Sequence, residues 1–143
     1  MIRGFVLGDE KDIAALEREC FSSPWSEKAV LDSASADTHF FVFEDEGKIL
    51  GYAGLQTVLD EGYVTNIAVT KTARGRGIGK SLVETLVEFG RKYSLAFISL
   101  EVRGSNAPAI SLYTKCGFNS MGERKNFYQN PTEDAIIMTK ELK

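Results

Sequence analysis

Residues Thr70 to Leu86 read TKTARGRGIGKSLVETL, and this stretch decides the fold. Three glycines at alternate positions, Gly75, Gly77 and Gly79, stand ahead of a run with helical apolar spacing. Glycines let backbone N–H groups approach a ligand closely, and the N-terminus of a helix attracts anions. The stretch therefore predicts a pyrophosphate site at a helix entrance, although a solvated basic face would also explain its cations. These cations are Lys71, Arg74, Arg76 and Lys80.

Two nucleotide-binding motifs fail at this stretch. Gly79-Lys80-Ser81 matches the end of a P-loop, but Arg74 stands where a P-loop requires its first glycine. Gly75 and Gly77 match the first half of a dinucleotide fingerprint, but Lys80 replaces the third glycine. The pattern that remains is Arg-x-x-Gly-x-Gly, so we exclude a nucleotide triphosphatase and a dinucleotide-binding fold.

Length and composition indicate one soluble domain. A chain of 143 residues predicts a single domain, residues 1–143, and 43% hydrophobic with 26% charged residues is ordinary for a globular protein. The net charge of −3 gives no general affinity for nucleic acid. No apolar run approaches the roughly 20 residues that span a bilayer, and no signal-peptide pattern begins the chain. We expect a cytoplasmic monomer.

The cysteines and the histidine predict no metal site. Cys20 and Cys116 have no C-x-x-C spacing, and His39 is the only histidine. We therefore expect no zinc or other metal, and two reduced cysteines.

Hydrophobic periodicity predicts the order of elements. Apolar residues alternate in some stretches and recur every three to four residues in others. The resulting order is strand, two helices, three strands, helix, strand, helix, two strands. This order predicts an α+β fold with a mixed, mostly antiparallel sheet of about seven strands flanked by about four helices, rather than a doubly wound fold.

Local signals predict where the elements begin and turn. Asp9 and Ser26 are candidate N-caps of the first two helices, and Ser105 or Asn106 of the last. Short loops predict an antiparallel meander for the second to fourth strands, with its second turn at residues 60–62. The last two strands are expected to join around Asn130-Pro131, and Gly117 to end the last helix.

The chain resembles a known family along nearly its whole length. The motif from Arg74 to Gly79, directly after YVTNIAV, resembles the acetyl-CoA signature of the GNAT superfamily of N-acetyltransferases. Three further stretches resemble the RimI-type ribosomal-protein alanine N-acetyltransferases. They are PWS (Pro24 to Ser26), LEVRGSNAPAISLY (Leu100 to Tyr113) and RKNFYQNPTEDAIIM (Arg124 to Met138).

The resemblance implies an activity and a site. It implies transfer of an acetyl group from acetyl-CoA to the N-terminal alanine of a small-subunit ribosomal protein, by direct attack of the amine. It implies Glu101 as general base and Tyr113 as general acid. It assigns to the coenzyme Ile67, Ala68, Val69, Arg74, Gly75, Arg76, Gly77, Ile78, Gly79, Lys80 and Asn106.

The residues themselves leave both catalytic roles open. Period-two alternation puts Glu101 on one strand face with Phe97 and Ser99, which also fits an ordinary exposed acid. Tyr113 near Ile110 also fits a core residue. An N-terminal amine, with a pKa of roughly 7.7–8.0, demands less of a base than lysine at about 10.4.

The acceptor site is predicted from aromatic and acidic side chains. Trp25 and Tyr128, with Phe127, are candidate walls of a peptide cleft, and Glu133 with Asp134 would attract a cationic peptide. Alternatively, Trp25 fills the corner between two helices, and the acids cap the last strand. Family members often have two tyrosines where this chain has Phe127-Tyr128, so one hydroxyl is missing. A lysine or small-amine acetyltransferase and a non-catalytic acetyl-CoA sensor are the competing hypotheses.

Overall fold

The computed structural model describes residues 1–143, and it consists of one seven-stranded sheet flanked by four α-helices. The strands are β1 (Ile2–Gly4), β2 (Thr38–Asp45), β3 (Lys48–Val58), β4 (Glu61–Val69), β5 (Phe97–Arg103), β6 (Asn119–Tyr128) and β7 (Glu133–Glu141). The helices are α1 (Asp9–Cys20), α2 (Glu27–Ala34), α3 (Ile78–Lys92) and α4 (Ala107–Lys115), with a 3₁₀ turn at Lys71–Ala73. The predicted fold class and element order are confirmed.

The sheet contains one parallel pair, and this pair is short. The strand order is β1-β2-β3-β4-β5-β7-β6, and only β4 and β5 run parallel. Their pairing begins at Glu61 with Phe97 and ends at Tyr63 with Ser99, although β4 continues to Val69 and β5 to Arg103. Beyond this point the two strands diverge, which opens a cleft in the middle of the sheet.

The core is divided between the two faces of the sheet. On one face, α3 and α4 cover a cluster that includes Leu82, Leu86 and Ile98. On the other face, α1 and α2 cover a cluster that includes Ile13 and Tyr52. The apolar stripe predicted for α3 is therefore confirmed as its buried face. None of the helices is both long and apolar enough to cross a lipid bilayer.

The prediction that Asp9 caps α1 is wrong. Gly8, with φ of 109°, occupies the N-cap, and Asp9 is the first helical residue. The Asp9 carboxylate instead accepts a hydrogen bond from the Val6 N–H at 2.9 Å and pairs with Arg3 at 2.8 Å. The Arg3 guanidinium holds the pKa of Asp9 below its usual range. The competing partner, Arg3, lies in β1, outside the local pattern that the prediction used.

The other predicted helix boundaries are confirmed. Ser26 caps α2, since its Oγ accepts from the Ala29 N–H at 3.1 Å. Of the two candidates for α4, Asn106 is the cap, and its Oδ1 accepts from the Ala109 N–H at 3.3 Å. Gly117 follows α4 with φ of 94°, a conformation that favours glycine.

The predicted turn at residues 60–62 is placed too late. Leu59 and Asp60 form the turn, and β4 already begins at Glu61. Leu59 adopts φ of 55° and is 94% exposed, so a leucine takes a left-handed conformation that is uncommon for residues other than glycine. Gly62 lies within β4 instead, where a Cβ would come 3.0 Å from Leu95.

Strand β6 forms one edge of the sheet and is almost entirely exposed. Its pairing with β7 is interrupted twice, around Gly122 and between Arg124 and Tyr128, where Asn126 has φ of 53°. Three charged side chains, Glu123, Arg124 and Lys125, follow the first interruption, and Lys125 lies within the second. β6 is therefore an irregular, charged edge strand.

Candidate active site

The divergence of β4 and β5 produces a cleft of about 410 Å³. Its walls come from the middle of β4, the end of β5, the start of α4, the α1–α2 loop and the end of β6. The cleft brings together six residues that the sequence analysis named as site candidates, namely Ile67, Glu101, Asn106, Tyr113, Phe127 and Tyr128. Elements distant in the chain thus place an acid, an amide and two phenols around one space.

Glu101 lies on β5 opposite Ile137 of β7 and lines the cleft. Its side chain is 29% exposed, so it is accessible from solvent. Its nearest cation is Arg124 of β6, whose Nε lies 3.8 Å from the carboxylate. A carboxylate so placed is available to a molecule that enters the cleft.

Tyr113 of α4 combines a buried ring with a position on the cleft wall. The residue is 9% exposed, and its ring packs against Phe118 with centroids 6.0 Å apart. Burial, with a smaller effect of Tyr128, raises the pKa of Tyr113 to about 12. The hydroxyl therefore keeps its proton at neutral pH, as a proton donor must.

The glycine-rich loop precedes α3 with its backbone in the left-handed region. Gly75 has φ of 84° and Gly77, the N-cap of α3, has φ of 80°, and a Cβ at either position would meet open space. The first helical hydrogen bond runs from the Ser81 N–H to the Gly77 carbonyl at 3.0 Å. The preceding N–H groups of residues 78–80 have no intrahelical acceptor, which makes this entrance suited to an anion.

The charged residues of the loop differ in their contacts. Arg76 and Lys80 form no ion pair within the chain. Arg74 is held at the end of β4, because its Nε donates to the Val69 carbonyl at 3.0 Å and its Nη2 lies 3.4 Å from Cys20 Sγ. Of these three cations, Arg76 and Lys80 are the ones free to meet an anion.

The third glycine of the motif has a different position. Gly79 lies in the first turn of α3, where a Cβ would come 3.3 Å from Leu112 of α4. This glycine therefore allows α3 and α4 to approach each other closely. The sequence had grouped it with glycines that serve the approach of a ligand.

The end of β4 presents two amides to the cleft. The Thr70 N–H donates to Leu50 of β3 at 2.8 Å, and N–H groups alternate between the two sides of a strand. The N–H of Ala68 therefore points toward β3, whereas those of Ile67 and Val69 point toward the cleft. No strand pairs with this part of β4 on the cleft side.

A buried carboxylate connects three elements behind the cleft. Glu17 of α1 is fully buried and accepts hydrogen bonds from the Trp25 N–H at 2.9 Å, Asn66 Nδ2 at 3.1 Å and the Tyr52 hydroxyl. Desolvation raises the pKa of Glu17, and these donors partly offset the effect. Asn66 lies in the bulge of β4, so Glu17 joins this wall of the cleft to the α1–α2 loop.

Trp25 lies outside the set of residues that line the cleft. Its ring packs edge-on against Phe40, with centroids 6.4 Å apart, beside the core cluster under α1 and α2. This is the corner position that the sequence analysis gave as the alternative. Trp25 is connected to the cleft only indirectly, because its N–H donates to Glu17 and Glu17 also binds Asn66 of the cleft wall.

The two acids of β7 are bound within the chain. Glu133 pairs with Arg103 at 3.3 Å and accepts from the Ser105 N–H at 2.7 Å, while Asp134 accepts from the Asn126 N–H at 2.8 Å. Hydrogen bonds from Ser105 lower the pKa of Glu133, and that from Asn126 lowers the pKa of Asp134. No group of three or more His, Cys, Asp or Glu side chains is placed to hold a metal ion.

Sequence reasoning missed several residues of the cleft. Arg103 shares the strand face of Glu101, so the same alternation could have identified it. Ser22 and Ser23 of the α1–α2 loop also line the cleft, and Arg124 pairs with Glu101 across the sheet. No local pattern indicates these last three, since their positions depend on tertiary packing.

Residues 10–118 match the family model of the acetyltransferase (GNAT) family, and the chain belongs to this family. A [ribosomal protein bS18]-alanine N-acetyltransferase of Escherichia coli is 39% identical over 125 residues, which cover 86% of this chain and 84% of that protein. One of Haemophilus ducreyi is 32% identical over 141 residues, 96% of this chain and 97% of that protein.

The fold agrees with a solved structure of the same kind of enzyme. The crystal structure of the ribosomal-protein-S18-alanine N-acetyltransferase from Escherichia coli superposes with a TM-score of 0.92 at 35% identity, covering 99% of this chain and 93% of that one. The chain is thus an N-acetyltransferase, and enzymes of this family use acetyl-CoA as the acetyl donor.

Proposed function

We propose that this enzyme acetylates the N-terminal α-amino group of a protein, and that its substrate is the N-terminal alanine of a small-subunit ribosomal protein. The names of the bacterial relatives support this substrate. The observation that carries the proposal is the cleft between β4 and β5, in which Glu101 and Tyr113 border the same space. A ribosomal-protein substrate supports a cytoplasmic location for the reaction.

The loop before α3 fits the pyrophosphate of acetyl-CoA. Gly75 and Gly77 leave open space above the backbone, and the N–H groups of residues 78–80 lack helical acceptors. Arg76 and Lys80 add positive charge, while Arg74 holds the loop against β4. Asn106, which caps α4 and borders the cleft, is the further contact that we assign to the coenzyme.

The free edge of β4 fits the pantetheine arm and the thioester. The N–H groups of Ile67 and Val69 point toward the cleft, where an extended ligand with amide groups can pair with them as a strand would. The same edge can stabilise the oxyanion that develops on the thioester carbonyl. Ala68, whose N–H points toward β3, contributes only through its place in the strand.

Glu101 and Tyr113 each carry out one of the two proton transfers of the reaction. Glu101 accepts the proton of the attacking amine, directly or through one water, and its ion pair with Arg124 is long enough at 3.8 Å to yield to a substrate. Tyr113 donates its proton to the sulfur of the departing coenzyme A, since its pKa of about 12 keeps it protonated. The amine attacks the thioester directly, and neither cysteine takes part.

The acceptor polypeptide enters at the side of the cleft formed by Tyr128 and the α1–α2 loop. Trp25 belongs to this loop, but its ring packs against Phe40, so we assign it no contact with the acceptor. The large exposed apolar side chains, such as Leu7, Leu59 and Met121, lie in separate parts of the chain and form no stripe, so we propose that the enzyme acts as a monomer.

Acetylation of short peptides that differ only at their first residue tests the function. We expect transfer to the α-amine with a preference for alanine, located by mass spectrometry. Acetyl groups found only on lysine side chains or small amines would contradict the proposal, and coenzyme A binding without transfer would indicate a sensor.

Glu101→Gln tests the mechanism. A general base contributes roughly 10²–10⁴-fold, so turnover should fall by about this factor while acetyl-CoA binding is retained. Glu123→Gln, on the exposed edge strand β6, is the matched control and should keep wild-type turnover. If Glu101→Gln turns over as fast as the wild type near pH 7, Glu101 is not the base.

A further inference from the structure

The loop between β6 and β7, residues 129–132, is held by one side chain from the neighbouring strand. Arg103, the last residue of β5, donates from Nη2 to the Gln129 carbonyl at 2.8 Å and from Nη1 to the Pro131 carbonyl at 2.9 Å. Nη1 also donates to Glu133 at 3.3 Å, on the far side of the loop. One guanidinium therefore binds both ends of the β6–β7 loop.

The same guanidinium supports the aromatic wall of the cleft. Its central carbon lies 4.6 Å from the ring centroid of Tyr128, which lines the cleft and is half-buried. Such stacking of a cation on a ring is favourable, the more so where water is excluded. Arg103 and Tyr128 thus line the cleft together, with the guanidinium stacked on the ring.

The β6–β7 loop also touches the opposite wall. Ser22 of the α1–α2 loop donates from Oγ to the Gln129 carbonyl at 3.4 Å, so this carbonyl is shared between Ser22 and Arg103. On the other side, Glu133 accepts from the Ser105 N–H at 2.7 Å, just before α4. The position of the loop relative to both walls depends on bonds that meet at Arg103.

We propose that Arg103 is a positioning residue for the acceptor, which fixes Tyr128 and the β6–β7 loop and thereby sets the affinity for the acceptor polypeptide. This inference rests on the proposed function. It assigns to the Arg103 side chain no contact with acetyl-CoA, whose proposed contacts are the loop before α3, the free edge of β4 and Asn106. Removing the guanidinium should therefore weaken binding of the acceptor polypeptide and leave binding of acetyl-CoA unchanged.

Lysine cannot replace arginine in this role. The planar guanidinium donates several hydrogen bonds in a fixed fork and stacks on an aromatic ring at the same time. An ammonium group is a compact charge with three rotatable donors, and it has neither the fixed fork nor the planar face that stacks on Tyr128. Arg103→Lys keeps the charge and tests the geometry alone, whereas Arg103→Met removes both.

Steady-state kinetics with an alanine-first peptide and acetyl-CoA provide the test. For Arg103→Lys we expect the KM for the peptide to rise by about tenfold or more, with the KM for acetyl-CoA unchanged, since charge-assisted hydrogen bonds are lost on the acceptor side only. Arg103→Met should show a larger rise. Arg91→Lys, at the exposed end of α3, is the control and should leave both KM values unchanged.

Hydrogen exchange supplies a readout that does not depend on the acceptor. Residues 128–133 should exchange faster in Arg103→Lys than in the wild type, while the loop before α3 exchanges at the same rate. Unchanged exchange in residues 128–133, or an equal rise of both KM values, would overturn the positioning role. If the wild type instead acetylates only another amine, the proposed function fails, and the KM comparison is made with that acceptor.

Discussion

At the scale of the residue, Glu17 is a carboxylate in the core, whereas its neighbours Arg18 and Glu19 are exposed. It lies fully buried with three hydrogen-bond donors and without a cation. Burying a carboxylate is unfavourable unless its charge is compensated, and here neutral donors compensate it only in part. The raised pKa of Glu17 therefore makes the folded protein bind this proton more tightly than the unfolded chain does.

This difference predicts a pH dependence of stability. The contribution of Glu17 is fully present below its ordinary pKa of about 4.5 and is lost as pH rises through its raised value in the folded state. The free energy of unfolding of the wild type, relative to Glu17→Gln, should therefore be higher near pH 5 than near pH 8. Urea denaturation at both pH values measures it, with Glu123→Gln as the surface control. A difference that does not change with pH would contradict the prediction.

How well a residue could be predicted depends on the range of the interactions that place it. The orientation of Glu101 follows from strand alternation, and the caps Ser26 and Asn106 from neighbours three residues away. Asp9 and Glu17 could not be predicted, because their partners lie in other elements. The catalytic and coenzyme roles came from the resemblance, and they stay predictions.

At the scale of the element, α3 has two roles, one in the packing of the core and one in the proposed binding of the ligand. Its apolar stripe covers the larger core cluster, and its N-terminus is the proposed pyrophosphate site. The stripe was predictable because its spacing repeats over four turns. The turn at Leu59 was not, since nothing in the local composition marks a leucine for positive φ.

Two glycine N-caps allow backbone strain to be separated from ligand binding. Gly77 before α3 and Gly8 before α1 both have positive φ, and a Cβ on either would meet no neighbour. Alanine at either position should cost about 1–2 kcal/mol of stability, because the left-handed region disfavours a Cβ. Only Gly77→Ala should also weaken acetyl-CoA binding, by about tenfold, since its Cβ would enter the space proposed for the pyrophosphate. Thermal denaturation and calorimetry measure the two effects, and equal loss of affinity in both variants would contradict this assignment.

At the scale of the whole molecule, the site is a place where the sheet is incomplete. The parallel pairing of β4 and β5 ends after three residue pairs, and the α3 connection between them holds the two halves of the sheet together. The element order predicted that such a sheet would form. It did not predict where the pairing would end, because register beyond Tyr63 depends on the bulge in β4 and on packing around it.

A ligand that bridges the two halves should stabilise the entire fold. Acetyl-CoA at about 100 times its dissociation constant should add about 2.7 kcal/mol, because it binds only the folded state. For a domain of this size that corresponds to a rise in Tm of roughly 10 °C. Differential scanning calorimetry with and without acetyl-CoA measures the shift, and acetate at the same concentration is the control. An unchanged Tm at this concentration would contradict binding of acetyl-CoA to the folded protein.

The edge strand β6 has a consequence for the behaviour of the protein at high concentration. An unpaired strand can add a strand from another copy and so begin aggregation. Here such a pairing would have to take three charged side chains, Glu123, Arg124 and Lys125, out of water, and the irregular backbone at Gly122 and Asn126 interrupts the row of backbone partners. The opposite edge, β1, spans only three residues. Both edges of the sheet therefore have features that disfavour pairing between copies, so we expect the protein to stay dispersed when it is concentrated.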